Sequence, residues 1–191
     1  NILENYNFRT WEGERETYCS YVNAHTIQAI ELLKNNQIEI AINELNKALL
    51  YPENLEVGKP LHDEKNAMIY YFMGEAYQKM GENKQAQRSY EKSITSQNGP
   101  GMTDLLYFQG KAFEKLNQPE KAKQIFENLI TKGKKLREGD SDNRSIGVAQ
   151  ATLGNNKTIS YAYYLEALGY KGLKNSGKAK QEFKTAINIY P

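Results

Sequence analysis

Cysteine, tryptophan and histidine are nearly missing from this chain of 191 residues, which holds one, one and two of them. With Cys19 alone, no internal disulfide and no cysteine-based metal site can form. The residue reads instead as a small hydrophobe, partly buried on the first helix. His25 and His62 lack a histidine four places on and a nearby cysteine pair, which argues against zinc. Long apolar runs are missing too. The longest, Ala67–Met73, falls far short of the ~20 residues that a membrane-spanning helix needs. Charge of one sign is not in excess: the net charge is +2, with lysine and glutamate interspersed. That balance gives no electrostatic reason to expect nucleic acid or an anionic membrane as partner.

Catalytic motifs are equally scarce. The stretch "GVAQATLGNNKT" has glycines and a Lys-Thr but not the spacing of a phosphate-binding loop. No Gly-x-Ser-x-Gly is present, and no histidine pairs locally with a nucleophile. Asn143-Arg144-Ser145 and Asn156-Lys157-Thr158 fit the glycosylation triplet, which matters only in a secreted eukaryotic protein. The chain therefore reads as non-enzymatic, with no catalytic residue, metal ligand or cofactor to nominate. It begins at Asn1 rather than Met and shows no basic-plus-apolar leader, so we expect a processed protein or a piece of a larger one. A cytoplasmic location is favoured.

What is present is a repeat. A small residue is followed twelve places later by an alanine, with a large side chain four places beyond it. The four sets are Ala29/Ala41/Leu45, Gly74/Ala86/Tyr90, Gly110/Ala122/Phe126 and Ala167/Ala179/Phe183. A further large residue lies three places after each first small one: Leu32, Tyr77, Phe113 and Tyr170. Two antiparallel helices can approach to about 8–10 Å where one offers a small side chain, with a larger one filling the space beside it. Breakers sit where turns are needed, at Asn35–Asn36, Gly81, Asn117–Pro119 and Asn175–Gly177. The pattern resembles the tetratricopeptide helix–turn–helix repeat, which implies an all-α solenoid of about four helix pairs with inserted loops.

We expect helices near 16–35, 37–51, 64–80, 83–97, 103–116, 119–135, 158–173 and 176–190. The repeats fall near 22–51, 67–97, 103–135 and 160–190 of a single domain spanning 1–191. Residues 1–15 read as an extended N-terminal cap. Against a 34-residue period, the spacings leave long loops at 52–63 and 134–157, the second with a short helix near Ile146–Leu153. The stripe Tyr77, Tyr90, Phe113, Phe126, Tyr170 and Phe183 is assigned to the core.

Stacked repeats curve, and the concave face lined by the first helix of each pair is the usual binding surface. Three places before each small residue stand Thr26, Tyr71, Tyr107 and Tyr164; the last three form a tyrosine ladder on that face. Glu75 and Lys111 follow one place after the small residue, Glu114 and Lys171 four places after it, and Tyr161 joins at the C-terminal end. Tyrosine offers large contact area, little rotamer entropy to lose and a hydroxyl. These eight residues are the candidate groove for a peptide, a neighbouring domain or a glycan. The alternative is that the inserted loops cover the tyrosines. A clamp for a terminal carboxylate is not supported, because the matching positions hold Thr26/Ile30, Tyr71/Glu75 and Tyr107/Lys111.

Two further stretches are more distinctive: "FRTWEGERE" at Phe8–Glu16 and "LLYPENLEVGKP" at Leu49–Pro60. Together with the repeats, Trp11-Glu12-Gly13 and Tyr51-Pro52-Glu53-Asn54-Leu55 with Val57-Gly58-Lys59-Pro60 resemble the C-terminal repeat region of a bacterial family that carries a domain of unknown function, DUF5107. Glu14 departs from that pattern, which tends to have a second glycine there. The resemblance implies an upstream β-rich domain, in which any catalysis would reside. It also makes Trp11, Glu12, Tyr51, Glu53, Asn54 and Lys59 a candidate seam to that domain. The leading expectation is a non-catalytic interaction or intramolecular scaffolding module whose partner is a protein, a peptide or its own upstream domain. The alternative is an accessory helical part of a carbohydrate-active enzyme, contributing to a glycan site. If the register is right, Ala122→Glu should unfold the chain through overpacking and an unpaired buried charge; a thermal melt unchanged from wild type would show the register to be wrong.

Overall fold

The structure, a computed structural model, describes residues 15–50, 52, 54, 65–97, 101–138 and 155–191. Of the candidate seam, only Asn54 lies among them, partly buried; Trp11, Glu12, Tyr51, Glu53 and Lys59 lie outside, as does the expected short helix at 146–153. The described residues form eight α-helices and the 3-10 turn Thr103–Leu105, with a further 3-10 residue at Asn54 and no strand. In order these are α1 (Arg15–Lys34), α2 (Ile38–Ala48), α3 (Asn66–Lys79), α4 (Asn83–Thr95), the 3-10 turn Thr103–Leu105, α5 (Leu106–Lys115), α6 (Pro119–Glu138), α7 (Asn155–Gly172) and α8 (Ser176–Ile189). They pack as four successive hairpins, α1/α2 to α7/α8, each stacked on the one before it.

The small residues do what their spacing demands. Ala29, Ala41 and Leu45 are fully buried, as are Ala76, Ala112 and Ala167. A Cβ added at Gly74 would overlap the Tyr90 ring, and one at Gly110 or Gly172 the Phe126 ring. Each ring of the second helix thus lies directly over the backbone of a first helix, the contact that lets the helices close. Of the aromatic stripe, Tyr90 and Phe126 are almost wholly buried, Tyr77, Phe113 and Phe183 are half-buried at the margin of the same clusters, and Tyr170 is half-buried.

Helix α6 runs to Glu138 and α7 starts at Asn155, so both reach into the segment whose polar, glycine-containing composition suggests a loop. Packing explains the difference. Leu129, Gly133 and Leu136 continue one buried stripe of α6, Leu136 clusters with Ala162, and a Cβ at Gly133 would stand 2.6 Å from the Ala162 carbonyl. Tertiary burial of an amphipathic face outweighs local propensity here.

All four hairpin turns share one geometry. Asn36, Gly81, Asn117 and Lys174, each seven places after the repeat's small residue, take positive φ of 58°, 79°, 56° and 61°. The next amide in each case donates back to the carbonyl five residues earlier: Gln37 to Leu32, Glu82 to Tyr77, Gln118 to Phe113 and Asn175 to Tyr170, all at 2.9 Å. That is the Schellman closure, which satisfies carbonyls left over at the helix end. In the fourth turn the left-handed residue is Lys174, and not one of Asn175–Gly177, which composition alone favours; Asn175 instead caps α8, accepting from the Lys178 amide at 3.2 Å.

Buried polar groups tie the hairpins together. His25 Nδ1 lies 2.6 Å from Glu44 Oε2 between α1 and α2. Burial raises the Glu44 pKa, but the His25 ring and the Lys47 ammonium outweigh it and hold the carboxyl below the ordinary glutamate range. Between α4 and α5, the Gln109 amide donates to the Ser96 carbonyl at 2.8 Å and the Ser93 carbonyl at 3.3 Å, capping the end of α4.

A lysine at positive φ carries a backbone cost of roughly 1–2 kcal/mol that glycine avoids, offset in part by glycine's greater unfolded-state entropy. Lys174→Gly should therefore raise stability by about 1 kcal/mol, seen as a higher midpoint in urea with an unchanged slope.

Candidate functional site

The first helices α3, α5 and α7 place the tyrosine ladder at one register, but not at one depth. Tyr71 is 8% exposed and packs against the rings of Tyr90 and Phe108, with centroids 6.0 and 5.8 Å away. Tyr107 is half-buried against Phe126 at 5.9 Å, while Tyr164 is 37% exposed. Tyr71 therefore serves as packing in this structure, and the reachable part of the ladder is Tyr107 with Tyr164. Tyr161 stacks on Tyr164, with ring centroids 6.3 Å apart.

The polar groove residues form linked pairs rather than isolated charges. Glu75 receives the Tyr90 hydroxyl and the Lys115 ammonium, each at 2.6 Å. Lys115 also donates to Gln78 Oε1 at 2.9 Å, joining α3 to α5. Lys111 and Glu114 pair with one another within α5. Lys171 lies over the Tyr107 ring, 5.6 Å from its centroid, a cation–π contact between α7 and α5. Burial, reinforced by Glu114, pushes the Tyr107 phenol upward. Burial and the nearby Asp104 carboxylate push Tyr164 up to about 12. These phenols stay protonated at neutral pH and can donate hydrogen bonds.

Two features escape a reading by repeat register. The first is Asp104, in the 3-10 turn before α5. Its Oδ1 lies 3.1 Å from the Tyr161 hydroxyl, which also lies within reach of the Gly101 carbonyl at 3.2 Å. Burial raises the Asp104 pKa above the ordinary carboxylate range, while the Tyr161 hydroxyl and Lys65 oppose that shift. The second is a cleft of about 350 Å³ lined by Gln78, Asn83, Gln87, Tyr90, Lys115 and Asn117. Gln78 Oε1 accepts from both Tyr90 and Lys115, and this fixes the amide's orientation. Gln78 stands four places after Gly74, the register of Glu114 and Lys171, whereas the other amides come from the turn and from α4, outside the first-helix pattern. Among the described residues, no cluster of His, Cys, Asp or Glu has metal-site geometry, and no helix is long and apolar enough to cross a membrane.

The class that this fold defines is a tetratricopeptide-type helical repeat protein. Family models of the tetratricopeptide repeat match residues 67–99 and 160–191, and a second such model matches 104–132. These segments carry the hairpins α3/α4, α7/α8 and most of α5/α6; α1/α2 repeats their geometry outside the matched segments. Among solved structures, the chain is similar to "YrrB: a TPR protein with an unusual peptide-binding site". The two share 23% sequence identity over 87% of this chain and 85% of that one, with a TM-score of 0.32. No curated protein matches the chain.

An acid whose pKa is raised by folding binds its proton more tightly in the native state, so stability falls as pH rises from the unfolded value through the folded one. Above both, the cost persists. Asp104→Asn keeps an acceptor for Tyr161 and removes the buried charge, so it should stabilise the protein at pH 7. The gain over wild type should shrink to nothing in acid, as measured by chemical denaturation across a pH series.

Proposed function

We propose that this chain is a non-catalytic interaction module that binds an extended peptide along the concave face of α3, α5 and α7. Tetratricopeptide repeats as a class support a protein-interaction role, and they are typically not catalytic. The observation that carries the reading is the group of half-open Tyr107, Tyr161 and Tyr164, with Lys171 over the Tyr107 ring; the amide cleft at Gln78 is a separate pocket beside α3 and α5. Rings accept apolar or proline side chains with little entropy to lose. Amide side chains can meet main-chain N–H and C=O groups in pairs. Glu75, Lys111 and Glu114 supply both signs of charge between these elements, which suits a segment of mixed charge rather than a strongly acidic or basic one.

A peptide selected from a random display library on the immobilised chain, then titrated by calorimetry, tests this. Tyr164→Ala and Lys171→Ala should each weaken it about tenfold or more, as truncation of an anchor does, with helicity unchanged. Selected peptides that bind both variants as tightly as wild type, or a library that yields none, would remove the groove as the binding site.

A further inference from the structure

Tyr161 has a single hydroxyl proton and meets two acceptors for it. Its oxygen lies 3.1 Å from Asp104 Oδ1 and 3.2 Å from the Gly101 carbonyl, and it accepts from the Asp104 amide at 3.3 Å. With Asp104 ionised, the phenol gives its proton to the carboxylate, the stronger acceptor, and the Gly101 carbonyl goes without it. With Asp104 protonated, the acid donates to the phenol oxygen, and the phenol in turn donates to Gly101. The neutral acid thus completes a chain of bonds that the carboxylate leaves short by one.

The surroundings do little to hold this carboxyl ionised. The cation that faces it is Lys65, just before α3, whose ammonium donates to the Asn23 side chain of α1. Among the described residues, no ion pair joins Lys65 to Asp104. From α7 come the phenols of Tyr161 and Tyr164. The charged residues of α5, into which the turn runs, are engaged with others: Lys111 with Glu114, and Lys115 with Glu75. Asp104 and Tyr161 are half-buried, and Tyr164, stacked on Tyr161, is the open ring beside them. A segment laid on Tyr164 therefore takes water from Asp104. Loss of water disfavours the carboxylate and leaves the neutral arrangement intact.

We propose that the Asp104–Tyr161 pair makes the groove proton-linked, so that a peptide seated on Tyr164 is held more tightly when Asp104 carries a proton. The inference rests on the groove reading above and adds its regulation. Burial already raises the Asp104 carboxyl above the ordinary range, and a seated peptide raises it further. Affinity is then fullest below the free protein's value. It falls as pH rises from that value to the complex's, and stays low above both.

Calorimetry tests this with a peptide selected from the display library, titrated over a pH series in two buffers of different ionisation enthalpy. Wild type should take up a proton on binding and lose affinity as pH rises, by up to about tenfold per pH unit, the limit for one linked proton. Asp104→Asn, whose amide can donate to Tyr161 at every pH, should bind as wild type does in acid and take up no proton. With aspartate carboxyl carbons labelled, NMR should show Asp104 titrating at higher pH in the complex than in the free chain. Wild-type affinity that is flat across the series, or that grows with pH, overturns the inference and leaves the groove standing. So does an Asp104→Asn variant that keeps the wild-type pH dependence. If no peptide binds, or if binding survives Tyr164→Ala and Lys171→Ala unchanged, the groove reading falls and the proton linkage with it.

Discussion

Everything in this structure depends on one steric condition: the ring of a second helix must rest on bare backbone of a first helix. Tyr90 over Gly74 and Phe126 over Gly110 and Gly172 meet it, and no side chain can be added beneath them without overlap. The close crossing sets the distance between helices, which in turn fixes the angle at which the next hairpin can stack. Dispersion contacts of such a buried ring are individually small and collectively large. How closely these helices cross is thus set by the ring-on-backbone contacts rather than by any binding residue.

The turns reinforce that geometry. Four Schellman closures at one register return each chain at the same angle, even where the residue carrying the left-handed conformation is a lysine. The Gln109 cap and the His25–Glu44 pair show a second layer of control, in which buried polar groups are satisfied across helix boundaries. A buried polar group left without a partner costs about 1–3 kcal/mol, more than the net contribution of a typical bond to folding. These contacts therefore specify how helices meet, as well as contributing to stability.

The repeat was legible because its signal lies in spacing: alanine and glycine at fixed intervals have few explanations other than helix crossings. Helix ends were less legible. Leu136 and Gly133 extend α6 through a contact with α7 that no local pattern announces. In the candidate site, the register placed Tyr107, Tyr161, Tyr164 and Lys171 on one face, yet depth escaped it. Tyr71 and Tyr164 occupy the same position in their repeats; one is covered by Phe108 and the other is not. Accessibility at that position is decided by the neighbouring hairpin, and so does not reside in the residue's own sequence context. Asp104 was invisible for a related reason, since its partner Tyr161 lies 57 residues away in the chain.

The network of Glu75, Gln78, Tyr90 and Lys115 has an energetic consequence for any group placed against it. Its members already satisfy one another, so an arriving group exchanges existing bonds for new ones and gains only the difference. Affinity drawn from this wall is then shallow.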